Sequence, residues 1–258
     1  MGLPAFFLRP PTGLGQPVLA TREPRQTLRH AHARFILRTV RFSRPLDCSN
    51  GSDLVRLVMT ATAYLAGPDV FLPNAAAHAA RKVEICRQYG LRGLPPLNED
   101  IETAAKTLNE TSLNETSLNE APDVWRSIFE KDIAMMERSD IIIANLTPFG
   151  GASADAGTLI EVGWFLGQRK PIFGYSNNSE SFEQRMRRQL GDGDADLGIE
   201  GFHLPDNLMI VGAVLSGGYP IFVPTDGKAR GIDALDVFEA CAAAAAQVVA
   251  AKAFAGRR

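Results

Sequence analysis

Cysteine is scarce in this chain, and the residues present are badly placed for metal or disulfide chemistry. Cys48, Cys86 and Cys241 lie far apart, with no CxxC pair and no Cys/His cluster, which argues against a zinc site or a disulfide framework. They read as free thiols of a reducing cytoplasm, with Cys86 and Cys241 buried. No GxGxxG follows the first strand and no GxxxxGK[ST] occurs anywhere, so a dinucleotide or phosphate-loop cofactor is not expected. There is no GxSxG, and Ser153 has no base beside it, so serine catalysis lacks its parts. Only His78 and His203 fall in the ordered region, and nothing pairs them. Neither charge dominates: 27 Lys and Arg against 29 Asp and Glu give a net charge of −2, which offers no electrostatic case for nucleic acid or a membrane surface. Long apolar runs are missing too. The Ala-rich stretch 240–251 is interrupted by Gln247 and reads as a helix rather than a membrane span. Residues 1–20 lack the basic start and continuous apolar block of a secretory signal.

With 258 residues, 45% of them hydrophobic, the chain can build one large domain or two small ones. Its first 58 residues stand apart. Arginine recurs (Arg9, Arg22, Arg25, Arg29, Arg34, Arg38, Arg41, Arg44), proline is frequent and periodicity is weak. A disordered basic tail, an organelle transit peptide, or upstream read-through before a true start at Met59 would each give this composition. The first and third readings are favoured, so the expected division is an extension over 1–58 and a folded domain over 59–258. A second oddity is TLNETSLNETSLNE at 107–120, where LNETS repeats. It is too short for a solenoid and reads as a duplication in a surface loop.

From residue 59 strands alternate with helices. The pattern predicts a strand at 59–66, a helix at 74–89 with Asn74 as N-cap and Gly90 as stop, and a short strand before the PPLNED turn. An amphipathic helix is expected at 122–138, then a strand at 140–146, a helix at 158–168 and a buried strand at 170–175. A polar, basic helix at 179–190, a mobile Gly/Asp-rich stretch at 191–201, an element at 204–212 entering a helix, a short strand near 220–224 and a long Ala-rich helix at 232–255 complete the chain. This alternation argues an α/β fold, a doubly wound parallel sheet with helices on both faces.

Chemistry concentrates in DIIIANLTPFGGASADAGTLIEVG, residues 140–163. An apolar strand runs into a small-residue loop, then a helix carrying Glu161 near its start, with Asp155 before it. Ligands bind at this carboxyl edge in open α/β sheets. A carboxylate in the first helical turn would be held ionised, as suits a nucleophile; it could also serve only the helix dipole. Asp155 could simply bond loop amides. Asp132, on the helix before the strand, could be solvated, although Ile128, Ile133 and Met136 lie close to its face. Tyr64 in the first strand could be an ordinary core aromatic, but its hydroxyl needs a partner if buried.

Taken together, YLAGPDVF (64–71), KDIAMMERSDIIIANL (131–146), SADAGTLIEVG (153–163) and PDNLMI (205–210) resemble the nucleoside 2-deoxyribosyltransferase family. The resemblance covers about residues 60–212 and implies a flavodoxin-like sheet. It implies that Glu161 is the nucleophile that attacks the anomeric carbon, Tyr64 the phenol that positions it, and Asp132 the acid and base for the nucleobase. It places Asp155 on the deoxyribose hydroxyls and Asn207 at the sugar end of a neighbouring subunit's site, which requires a homo-oligomer. Asn98 and Asp100 would touch the base, and Gly67 of the first loop joins the binding residues. The implied partners are a 2′-deoxynucleoside and a free nucleobase, with no cofactor or metal, in cytoplasmic nucleoside salvage. Related hydrolases that take 5′-monophosphates tend to carry serines where this chain has Asp155, so rejection of 5′-phosphates is expected. A hydrolase of the same fold, in which water replaces the acceptor base, and a non-catalytic nucleotide-sensing module remain alternatives.

Overall fold

Strand β3, Ile141–Asn145, reads IIIAN without polar alternation, and all five residues are buried. A strand apolar on both faces belongs inside a sheet covered on both sides. The computed structural model describes residues 61–97, 124–191 and 198–255 and has that arrangement. These residues all belong to the compact unit Asn50–Arg258. In chain order they form β1 (Ala61–Ala66), a short 3-10 turn (Pro68–Phe71), α1 (Ala75–Gln88), β2 (Leu91–Leu94), α2 (Val124–Glu137), β3, α3 (Ala156–Gly167), β4 (Ile172–Tyr175), α4 (Phe182–Leu190), α5 (Leu208–Leu215), β5 (Ile221–Phe222) and α6 (Asp236–Ala255). The five strands pair in the order β2-β1-β3-β4-β5, all parallel. This is the doubly wound, flavodoxin-like order, whose direction reverses between β1 and β3.

Successive strand residues face opposite sides. Ala63, Leu65, Ile141, Ile143, Phe173 and Tyr175 pack against Cys86 of α1 and against Phe238, Cys241 and Ala242 of α6. Tyr64, Ala66, Ile142, Ala144 and Ile172 pack on the other side against α2, α3 and α5, through Met135, Met136, Val162, Phe165 and Val214. Cys86 and Cys241 are buried free thiols, and burial lifts both well above the ordinary thiol range. Among the described residues no helix is long and apolar enough to cross a membrane.

Two boundaries depart from the pattern reading. Helix α3 begins at Ala156, two residues earlier than expected, because the Asp155 side chain accepts from Thr158 N and caps it there. Helix α6 begins at Asp236 rather than 232. The carbonyls of Gly231, Ile232 and Ala234 turn toward Asn177 Nδ2 instead of opening the helix. Asn74 does precede α1 but makes no side-chain cap. The Arg-rich head, Met59, Cys48, the LNETS repeat and most of 191–197 lie outside the described residues.

Buried polar side chains tie the carboxyl ends of the strands together. Asp69 accepts from Lys82 Nζ at 2.7 Å and from Asn145 Nδ2 at 3.0 Å. His78 Nε2 stands 3.2 Å from the same carboxylate without hydrogen-bond alignment. Burial alone would raise the Asp69 carboxyl. The Lys82 ammonium and its hydrogen bond, with His78 beside it, outweigh that and hold it well below the usual carboxylate range. Asn145 Oδ1 accepts from the amide and hydroxyl of Thr147, and Thr147 Oγ1 accepts from Asn177 N. Gly67 sits against this belt at φ 154°; a Cβ there would lie 2.6 Å from Asn145 Cβ, so the close approach of the two loops needs glycine.

Lys82→Met is expected to cost about 3–5 kcal/mol of folding stability, because it strands a buried charge at Asp69. Adding Asp69→Asn should recover part of the loss. Chemical denaturation of both variants tests this, and a double variant no more stable than Lys82→Met contradicts the pairing.

Candidate active site

Tyr64 lies on β1 with its side chain toward α2 and α3, and it is fully buried. Its ring stacks on Phe165 of α3, with centroids 6.1 Å apart. Phe165 and Glu161 lie four residues apart, so they share a face of α3. That places Glu161 over the phenol, whose hydroxyl donates to Glu161 Oε1 at 2.5 Å. Glu161 is half-buried. Loss of water raises its carboxyl to about 7; the Tyr64 hydrogen bond pulls it down, and the charges of Asp132 and Asp155 push it up. The Tyr64 phenol is pushed far above its ordinary value, by burial first and then by Glu161. It therefore stays an O–H donor across the physiological range.

The expected placement of Glu161 in the first helical turn is corrected. With α3 starting at Ala156, Glu161 is the sixth helical residue, and no acid occupies the first turn. The helix dipole acts mainly on the terminal turn. Desolvation prevails instead, so the free carboxyl is raised rather than held ionised.

Asp132 approaches from α2. It is half-buried, and its Oδ1 is shut off from water without a hydrogen-bond donor. Burial lifts its carboxyl to about 6, with Lys131 pulling the other way. A buried acceptor left unmatched costs about 1–3 kcal/mol, and an incoming group with an N–H would satisfy it. Asp155 Oδ2 accepts from Thr158 N at 3.0 Å and from Thr158 Oγ1 at 3.1 Å. The cap fixes this carboxylate at the N-terminus of α3 and leaves Oδ1 outside the cap. A Cβ at Gly157 would stand 3.1 Å from Asp155 Oδ2, so glycine keeps that approach open.

Tyr64, Asp132 and Asp155 thus converge electrostatically on the Glu161 carboxylate, making a group of four. Gly67 lies at the carboxyl end of β1, in the polar belt. Asn207 caps α5, accepting from Met209 N at 3.0 Å, and its Nδ2 donates to Glu200. Within this chain it bonds none of the four. Asn98 and Asp100 lie outside the described residues. Pattern reading passed over Asp69, Lys82 and Asn145. The one available signal was the spacing of His78 and Lys82 on α1, which puts them on one face. Among the described residues no group of three or more His, Cys, Asp or Glu is placed to hold a metal ion.

Residues 63–209 match a family model described as nucleoside 2-deoxyribosyltransferase. An uncharacterized protein of Schizosaccharomyces pombe is 34% identical over 137 residues, 51% of this chain and 58% of the relative. The chain therefore spans less than two thirds of that curated relative's length. Among solved structures, a 2-desoxiribosyltransferase from Leishmania mexicana is 25% identical with a TM-score of 0.49, covering 72% of this chain and 97% of that one. A 2-deoxyribosyltransferase from Bacillus psychrosaccharolyticus is 20% identical with a TM-score of 0.32, covering 57% and 97%.

A carboxyl whose value in the folded protein exceeds its ordinary 4.5 stabilises the fold while protonated. That contribution is full below pH 4.5 and is lost as pH rises through about 7. Glu161→Gln should match wild type near pH 4 and be more stable by roughly 1–3 kcal/mol at pH 8. Thermal midpoints at the two pH values check this; a gap that does not widen with pH contradicts the buried carboxyl.

Proposed function

The chain belongs to the nucleoside 2-deoxyribosyltransferase family, and from that premise we propose that it moves 2-deoxyribose between nucleobases by way of Glu161. The observation that carries this reading is the Tyr64–Glu161 hydrogen bond beside the unmatched oxygen of Asp132.

The chemistry follows from these groups. Tyr64 holds Oε1 and leaves Oε2 of the ionised Glu161 to attack C1′ of a 2′-deoxynucleoside. The C1′–N bond breaks, and Asp132 gives its proton to the departing base. A glutamyl ester of deoxyribose remains. A second base loses a proton to Asp132, attacks C1′ and expels Glu161 as carboxylate. Two inversions give net retention, the logic of a retaining glycosidase. Without a 2-hydroxyl the oxocarbenium-like transition state is easier to reach, so a single nucleophilic carboxylate serves. Asp132, raised toward neutrality by burial, is matched to both proton steps. Asp155 binds the deoxyribose hydroxyl through the oxygen outside its cap. Its charge repels a 5′-phosphate, so free nucleosides are the donors.

We place this activity in cytoplasmic nucleoside salvage, carried by the domain over 59–258, and in a homo-oligomer. Ile160 on α3 and Leu208, Met209 and Leu215 on α5 are exposed apolar side chains, and Gly163 has open space above it. A second copy over this face would bury them and bring Asn207 to a neighbouring site. Sedimentation as a monomer at micromolar concentration would exclude this part of the reading.

Incubation with a 2-fluoro-2-deoxynucleoside is expected to add one fluorodeoxyribosyl group to Glu161, read by peptide mass spectrometry, and Glu161→Gln should lose turnover by several orders of magnitude. No adduct, with deoxynucleosides bound but not turned over by the wild-type protein, would leave only a sensing module. Sugar release that is indifferent to added free base identifies a hydrolase. Deoxyinosine should be consumed and its 5′-monophosphate rejected; equal turnover of the two contradicts the role given to Asp155.

A further inference from the structure

The loop between β3 and α3 has little to hold its own shape. Gly150 and Gly151 are exposed, Gly150 sits at φ 70°, and the loop's one internal backbone bond runs from Phe149 N to Ser153 O. Yet this loop delivers Asp155. Its support comes from Arg185 of α4 and from Asp206, which precedes α5. Arg185 is 3% exposed and Asp206 is 1% exposed, although the neighbouring Arg187 and Arg188 of α4 point to water.

The Arg185 guanidinium is spent on backbone carbonyls from three segments. It donates to Ala152 O at 2.6 Å, to Glu180 O at 2.5 Å and to Pro205 O at 2.7 Å, and it stands 3.9 Å from the Asp206 carboxylate. Asp206 in turn accepts from Ser153 Oγ at 2.6 Å, Ala154 N at 3.1 Å and Asn207 N at 2.8 Å. One buried ion pair therefore fastens the loop ending at Asp155 to the segment ending at Asn207. Burying such a pair gains little stability against an apolar substitute. Its distinctive product is geometry: the two loops are held in fixed register.

We propose that Arg185 and Asp206 are positioning residues for the sugar end of the site, holding Asp155 in line with Glu161 without touching substrate. This rests on the deoxyribosyl transfer reading above. Contacts from Asp155 to the sugar persist from the bound state into the transition state, so loosening them weakens donor binding more than turnover.

The test compares wild type with Asp206→Asn and with the milder Ser153→Ala, which removes one bond to Asp206 and leaves the ion pair. Amide hydrogen exchange over 149–155 should rise by roughly tenfold in Asp206→Asn while α6 is unchanged. KM for the deoxynucleoside donor should rise by about tenfold, kcat should stay within about threefold, and KM for the acceptor base should not move. Ser153→Ala should give the same pattern at smaller size, and it keeps the test open if Asp206→Asn fails to fold. A merely structural role would lower the active fraction, hence kcat, and leave donor KM alone. Unchanged loop exchange, or faster exchange with unchanged donor KM, overturns the proposal while leaving the function intact. Wild-type protein that neither transfers nor hydrolyses deoxynucleosides sinks the function, and the positioning role with it.

Discussion

The Tyr64 hydroxyl donates to Glu161 across the space between β1 and α3, and both groups give up water to meet. That exchange sets the character of the site. Desolvation lifts the carboxyl to about 7, while the adjacent negative charge and burial keep the phenol neutral. The hydrogen bond partly offsets the cost of the buried charge and pins one carboxylate oxygen, which leaves the other free in a fixed direction. The fold tolerates a group it would hold more comfortably protonated. A perturbed carboxyl of this kind makes Glu161 a candidate site residue.

Sheet order puts this pair where it can be used. In the order β2-β1-β3-β4-β5 the connections diverge between β1 and β3, the place where open α/β sheets offer a crevice at the carboxyl ends of the strands. Tyr64 comes from β1, and the loop ending at Asp155 follows β3. Such a crevice needs walls that do not collapse into it. Asp69, Lys82, Asn145 and Thr147 provide them from below by joining strand ends through buried, matched hydrogen bonds. Arg185 and Asp206 do the same for the loop that ends at Asp155. Among the described residues the unmatched oxygen of Asp132 lies beside the Tyr64–Glu161 pair, while His78 Nε2 and Asn177 Oδ1 are the unmatched atoms of the belt itself.

Much of the frame was legible because periodicity is local. The run IIIAN could only be a strand buried on both faces, and Gly90, at φ 79°, ends α1 as the pattern required. The acid pair Asp155 and Glu161 stood out because a small-residue loop after such a strand has few other uses for carboxylates. The rest was hidden for reasons that can be named. Lys82 sits in an Ala-rich helix, where a lysine reads as a solvated charge; only the carboxylate of a separate loop makes its burial affordable. Arg185 is one of several basic residues on a polar helix, and nothing local separates it from Arg187 or Arg188. The start of α3 moved because Asp155 took the capping role, which displaced Glu161 from the first turn and reversed the expected direction of its proton affinity.

The sequence by itself determined the parallel α/β architecture, the strand–loop–helix junction and the residue types offered there, since each follows from spacing along the chain. Tertiary structure alone decided which charges are buried, which are paired, and that a phenol from the first strand meets a carboxylate ninety-seven positions later. Burial and pairing are properties of neighbours distant in sequence, and proton affinity depends on both.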